Sequence, residues 1–157
     1  MSGRFAVAPV REEELPELLE LVRAYCAFYE AAPADADLLA LSRALLADPE
    51  REGVQLLARD RERGGAAAGF ATVYWSWSTT QARRLAVMND LFVADETRGT
   101  GLADALIAAC ADLARERGVG ALSWVTAPGN RRAQRVYDRT GAARSEWVEY
   151  ELEVPAP

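Results

Sequence analysis

Apolar and polar positions recur with two different periods along the chain. From Glu12 to Ala31 the residues Leu15, Leu18, Leu19, Val22, Tyr25, Cys26 and Tyr29 return every three or four positions. That spacing predicts an amphipathic helix, with Pro16 near its start, where proline is tolerated. Pro33-Ala34-Asp35-Ala36-Asp37 interrupts the pattern. Either aspartate can cap a second helix, Leu38 to Ala47, which Asp48-Pro49 ends. Phe5 to Val10 alternates loosely, as an edge strand does. Strands are predicted at Val54 to Arg59, Ala68 to Ser78 and Leu85 to Val93, with Arg59 to Gly65 a charged turn. Strict alternation on the last strand puts Leu85, Val87, Asn89, Leu91 and Val93 on one face. Ala86, Met88, Asp90 and Phe92 take the other.

The helical period returns at Gly101 to Arg117, where Leu102, Leu106, Ala109 and Leu113 form one stripe and Ala103, Ile107, Cys110 and Ala114 an adjacent one. Gly118 and Gly120 stop it. Ala121 to Val125 reads as a short apolar strand in the middle of the sheet, and Asn130 to Thr140 as a helix left at Gly141. Trp147 to Val154 alternates cleanly, with Val148, Tyr150, Leu152 and Val154 on one face. Hairpin-like strands come first and a βαβ unit later. The expected fold is therefore α/β with a sheet of mixed direction, in a single domain over residues 1–157.

Composition narrows the chemistry. The net charge is −6, there is no histidine, and all 18 basic residues are arginine. Ser-His-Asp and Cys-His catalysis, histidine-built zinc sites, lysine Schiff bases and lysine-dependent phosphate loops are excluded, and no metal is expected. The acidic balance argues against nucleic acid and is compatible with an amine-bearing partner. Cys26 and Cys110 lie on apolar helical faces and read as reduced core residues. No signal-peptide pattern opens the chain, and the longest apolar run, Ala105 to Ala111, is too short to span a bilayer. A cytoplasmic protein with no membrane partner is expected.

The most informative stretch runs from Met88 to Ala103. A strand enters a loop, and Arg98, Gly99, Thr100, Gly101, Leu102 and Ala103 open a helix. Glycines at a helix start expose backbone N–H groups that no helical carbonyl can accept, and these make an anion cradle to which Arg98 can add charge. The same glycines would also serve as a plain helix cap. The spacing departs from the dinucleotide fingerprint, because the strand ends well before Gly99 and the third glycine position is Asp104. It matches Arg-x-x-Gly-x-Gly/Ala through Arg98, Gly101 and Ala103. Downstream, Asn130, Ala133, Gln134 and Tyr137 fall within about 60° of one another on a helical wheel. Arg131, Arg132, Arg135 and Arg139 take the opposite side.

These two segments resemble the coenzyme A loop and the Asn-x-x-Ala-x-x-x-Tyr helix of the GNAT N-acetyltransferases. The wording Asn89-Asp90-Leu91-Phe92-Val93, with the aromatic first helix Tyr25 to Glu30, is similar to the histone/polyamine acetyltransferase-like branch. Asn89 stands where polyamine enzymes carry a glutamate. The resemblance implies a mostly antiparallel twisted sheet flanked by helices, with a splayed strand pair holding the cofactor. It implies an acetyl-CoA-dependent N-acetyltransferase acting on a primary amine of a small molecule or a peptide. Leu91, Phe92 and Val93 would bind the pantetheine arm and carbonyl, and Arg98 to Ala103 the pyrophosphate. Asn130 and Ala133 would line the coenzyme, and Tyr137 would be the general acid. Asp90 or Glu30 would act as base, and Tyr25, Tyr29, Glu30, Trp75, Trp77 and Asn89 would surround the acceptor. A non-catalytic acyl-CoA-binding module, an acyltransferase using another donor or acceptor, and a homodimer stay open.

Overall fold

The computed structural model describes residues 3–157. They form two compact units, one ending at Val125 and the other spanning Thr126–Pro157. In the first unit five strands lie in the order β1 (Phe5–Pro9), β2 (Gly53–Asp60), β3 (Ala66–Ser78), β4 (Arg83–Val93) and β5 (Leu122–Ser123). The first four are antiparallel neighbours, and β5 runs parallel to β4 across the crossover helix. That helix is α3 (Leu102–Glu116). Two others, α1 (Leu15–Phe28) and α2 (Asp35–Ala47), precede β2. The acidic start Glu12–Glu14 is a separate 3₁₀ turn, so α1 begins at Leu15, with Pro16 inside its first turn.

The two faces of the sheet are built differently. Leu57 pairs with Phe70 and Phe70 with Phe92, and this apolar row packs under Leu15, Leu18 and Leu21 of α1. The opposite face meets α3, whose Leu106 and Cys110 are fully buried. Gly69 permits this approach. A Cβ there would lie 2.5 Å from the Phe92 carbonyl oxygen and 3.2 Å from the Leu102 side chain.

Three expectations are corrected. First, β4 does not alternate strictly. Thr72 pairs with Asp90 but the next residue, Val73, pairs with Met88, so Asn89 is an extra residue in a β-bulge. The bulge puts Asp90 and Met88 on opposite faces. Second, β5 is a two-residue strand at the sheet edge, not a central one. Third, Trp147 to Val154 forms no strand, and Trp147, Tyr150 and Leu152 are 92%, 91% and 86% exposed. Alternation specifies a face, but a strand also needs a neighbour to accept its ladder of hydrogen bonds, and among the described residues this segment pairs with none. The second unit contains one helix, α4 (Arg131–Asp138).

Ion pairs around the largely buried Glu14 join α1 to β2 and set the acid limit of the first unit. Arg59 reaches Glu14 at 2.9 Å and Glu17 at 2.8 Å, and the Arg11 amide donates to Glu14 at 2.9 Å. Burial alone would raise the Glu14 pKa, but the Arg11 and Arg59 hydrogen bonds outweigh it and lower it from 4.5 to about 2. A carboxylate with a depressed folded pKa contributes stability above its unfolded pKa and loses it as pH falls through the folded one. Stability is therefore expected to decline between about pH 4.5 and 2, and Glu14→Gln to flatten that decline. Denaturant midpoints measured across this window check it. Identical pH slopes for the two proteins would contradict it.

Candidate active site

The strand-to-helix loop is held by Thr97. Its side chain is fully buried, and Oγ1 lies 3.1 Å from the Ala68 carbonyl and 3.0 Å from that of Ala94. Thr100 Oγ1 donates to the Thr97 carbonyl and closes the turn. Gly99 and Gly101 have φ of 74° and 87°, the left-handed region that glycine enters without strain. The first helical hydrogen bond of α3 runs from Ala105 N–H to the carbonyl of its N-cap Gly101 at 3.1 Å. The amides from Gly99 to Ala103 therefore precede the helical ladder and carry the positive end of its dipole. A Cβ added at Gly99 or Gly101 meets no atom within 4 Å, so the space beside both glycines is open. Arg98 is turned toward Asp95, 2.7 Å away, and stays partly exposed. The loop thus fits a pyrophosphate: open space, backbone donors, a helix N-terminus and one guanidinium.

Beside the loop, β4 and β5 part. Their pairing stops at Val87 and Ser123, so from Met88 to Val93 the outer edge of β4 has no β5 partner. A cavity of about 470 Å³ lined by Leu21, Ala24, Phe28, Phe92, Ala94 and Arg98 runs from α1 to the loop.

The bulge turns Asp90 under α1. Burial raises the Asp90 pKa, while hydrogen bonds from Thr72, Tyr25 and Asn89 oppose the rise. Asn89 Nδ2 lies 3.0 Å from Asp90 Oδ1. Burial and the nearby Asp90 charge push the Tyr25 phenol far up and that of Tyr74 up to about 12, so both are protonated donors at neutral pH. The ring of Tyr25 stands edge-on to Tyr29 at 5.2 Å, and Tyr29 is 55% exposed. Glu30 follows at φ 56°, exposed at the end of α1. Cys26 is half-buried beside Asp90, while Cys110 lies on the core face of α3.

In the second unit, Asn130 caps α4, its side-chain oxygen accepting from Ala133 N–H at 3.2 Å. Gln134 Nε2 donates to the carbonyls of Ala127 and Pro128 at 3.1 and 2.9 Å, fixing the turn before the helix. Asn130, Ala133, Gln134 and Tyr137 are half-buried, and Arg131, Arg132 and Arg135 are exposed. The expected two-sided helix is the one observed.

The structure therefore gathers Tyr25, Tyr29, Asn89, Asp90, Leu91, Phe92 and the loop on one unit. It does not bring the two tryptophans to them. Trp75 pairs with Ala86 on the face opposite Tyr74, donates its Nε1–H to the Pro49 carbonyl at 2.8 Å, and lies under the Arg117 guanidinium. Trp77 is 67% exposed beneath Arg84. Thr72 and Tyr74 face Asp90 instead. The signal for them is parity: residues two apart on β3 share a face, so once Thr72 is set against Asp90, Tyr74 follows and Trp75 does not.

The family model described as Acetyltransferase (GNAT) family matches residues 15–142, covering α1, the Asp90 strand, the loop and α4. The chain belongs to the GNAT acetyltransferase family. It is similar to the uncharacterized N-acetyltransferase YhfO of Bacillus subtilis (strain 168), 30% identical over 96% of this chain and 98% of that one. A thialysine N-epsilon-acetyltransferase of Bos taurus is 30% identical over 55% of this chain and 51% of its own length. Among solved structures, a probable acetyltransferase aligns with TM-score 0.81 at 28% identity, over 99% of this chain and 100% of its own. The aminoglycoside N-acetyltransferase AAC(6')-Iy, solved with CoA, aligns with TM-score 0.82 at 19% identity, over 98% and 97% of the two chains, and shows the same fold. This GNAT protein is an N-acetyltransferase, and acetyl-CoA is the family's usual cosubstrate. Among its described residues no helix is long and apolar enough to cross a membrane.

Proposed function

We propose that this GNAT enzyme moves the acetyl group of acetyl-CoA to a primary amine of a small molecule, working as one catalytic domain over residues 1–157 in the cytoplasm. The observation that carries the reading is the bulge at Asn89, which places Asp90 among tyrosines beside the open edge of β4. Acetyl-CoA supplies a thioester whose leaving group is a thiolate. Its pyrophosphate fits the amides and guanidinium of Arg98 to Ala103. The open edge of β4 near Leu91 and Val93 offers backbone groups to the pantetheine arm and the thioester carbonyl, with Phe92 beneath it. Asn130 and Ala133 would line the coenzyme on the ligand-facing side of α4.

An amine arrives as its ammonium ion. Asp90, ionised but with a raised pKa, takes one proton and frees the nitrogen lone pair. The nitrogen then attacks the carbonyl, the C–S bond breaks, and Tyr137 gives a proton to the sulfur; the second nitrogen proton, lost as the amide forms, restores the phenol through solvent, and Asp90 releases its own proton to solvent. Tyr29, half-exposed beside Tyr25, offers a ring and a hydroxyl to a cation, which suits an amine. With Asn89 in place of a second carboxylate, Asp90 has no carboxylate beside it on β4, which fits an acceptor with one ammonium group better than a polyamine. The thialysine acetyltransferase and the aminoglycoside acetyltransferase are named for amine acceptors, which supports the class. The net charge of −6 disfavours a nucleic-acid partner.

Thiol release from acetyl-CoA across a panel of monoamines, diamines, peptides and hydroxyl compounds tests the acceptor class. Saturable rates with small primary amines are expected. Turnover confined to hydroxyl acceptors or basic peptides would overturn it.

The loop assignment predicts a separate effect. Valine is strained at φ 87°, and relief of that strain turns the loop amides away from the anion. Gly101→Val is expected to weaken acetyl-CoA binding by about 10–100-fold, the loss of one charge-assisted hydrogen bond or more. Unchanged affinity by calorimetry, in a variant with wild-type circular dichroism, would contradict the assignment.

A further inference from the structure

The sheet face under α1 carries a polar row beside its apolar one. Two residues along from Leu57, Phe70 and Phe92 lie Gln55, Thr72 and Asp90, which also pair in register across β2, β3 and β4. Gln55 is 4% exposed and Thr72 is fully buried. Such burial is costly unless each polar group has a partner. Gln55 Nε2 donates to Thr72 Oγ1 at 3.4 Å. That donation occupies a lone pair of the hydroxyl and leaves its single hydrogen for Asp90, directly opposite. The Gln55 Oε1 is the one buried side-chain polar atom without a partner among the described residues. Turning the amide over would satisfy Oε1 only by drawing the Thr72 hydrogen away from Asp90. From the other side comes the Tyr25 hydroxyl, its ring fixed edge-on to Phe70 at 5.7 Å and Phe92 at 6.2 Å.

We propose that Thr72, braced by Gln55, and Tyr25 are positioning residues that hold the Asp90 carboxylate ionised and aimed at the acceptor amine. The inference rests on Asp90 being the base. The titratable groups acting on Asp90 are Tyr25 and Cys26 of α1 and Tyr74 of β3, and none is a cation. Hydrogen bonds from Thr72, Tyr25 and Asn89 are what oppose the effect of burial. Each bond to a charged carboxylate favours the ionised form, so removing one raises the pKa.

The test is a carbon-13 NMR titration of the Asp90 carboxyl in wild type, Thr72→Val, Thr72→Ser and Tyr25→Phe, paired with kcat/KM against pH for each. Thr72→Val keeps the volume and loses the hydroxyl. Thr72→Ser keeps the hydroxyl and should restore the wild-type value. Thr72→Val and Tyr25→Phe are each expected to move the Asp90 midpoint up by about one pH unit, the size of a hydrogen bond to a charged group. The acidic limb of kcat/KM should move with it, and acetyl-CoA affinity should stay unchanged. Tyr25→Phe carries the test if Thr72→Val does not fold. Midpoints unchanged in the folded variants would overturn the proposal. Shifted midpoints with an unmoved kinetic limb would uphold the positioning role and instead remove Asp90 as the base.

Discussion

Replacing Tyr137 with phenylalanine is expected to lower kcat by about 10²–10⁴-fold, the usual contribution of a positioned acid, with little change in acetyl-CoA affinity. Tyr137 lies on the half-buried stripe of α4 with Asn130, Ala133 and Gln134, so phenylalanine keeps the ring packing and removes only the hydroxyl. A phenol has a reference pKa of about 10 and a thiol about 8.5, so the phenol is protonated at neutral pH and can give its proton to a forming thiolate. Without that proton the C–S bond must break to a free thiolate. The loss should appear in the chemical step of a pre-steady-state experiment. Activity within about threefold of wild type, with a normal chemical step, would contradict the assignment.

Asp90→Asn should be comparably severe and should change the shape of the pH profile. In the wild type, kcat/KM rises with pH as Asp90 ionises, and burial places this rise above the ordinary carboxylate range. Asparagine keeps the size of the side chain but exchanges one acceptor oxygen for an NH2 donor and cannot take a proton. A fall of about 10²–10⁴-fold is expected, with the carboxylate limb gone and only the ionisation of the amine substrate left in the profile. Raising pH should recover part of the lost rate, because more of the amine then arrives neutral. A profile identical in shape to the wild type would show that another group takes the proton.

The parts of this site that were legible in the sequence depend on local spacing. The Arg98–Ala103 loop declares itself because glycines at a helix start have a backbone reason to be there, and Gly99 and Gly101 do adopt positive φ. The α4 stripe was legible because a helical period survives small errors of register. The surroundings of Asp90 were not, because strand faces follow a period of two and one extra residue inverts them. Asn89 is that residue. With the inversion Asp90 leaves the face of Met88 and meets Thr72, Tyr25 and Tyr74. Trp75, chosen for its aromatic character, lies on the other side of the sheet under Arg117. The Val148–Val154 alternation failed for a different reason. It describes a strand with one apolar face, yet pairing is a property of two segments, and no local pattern names the second.

The most direct test is mass spectrometry of the products formed by the wild-type protein, acetyl-CoA and a small primary amine. An acetyl group on the amine nitrogen is expected, with one free coenzyme A thiol released per acetyl transferred and both formed about 10²–10⁴-fold more slowly in Asp90→Asn. Acetyl-CoA bound intact with no acetylated amine from any member of the acceptor panel would contradict it and leave a protein that only binds the coenzyme.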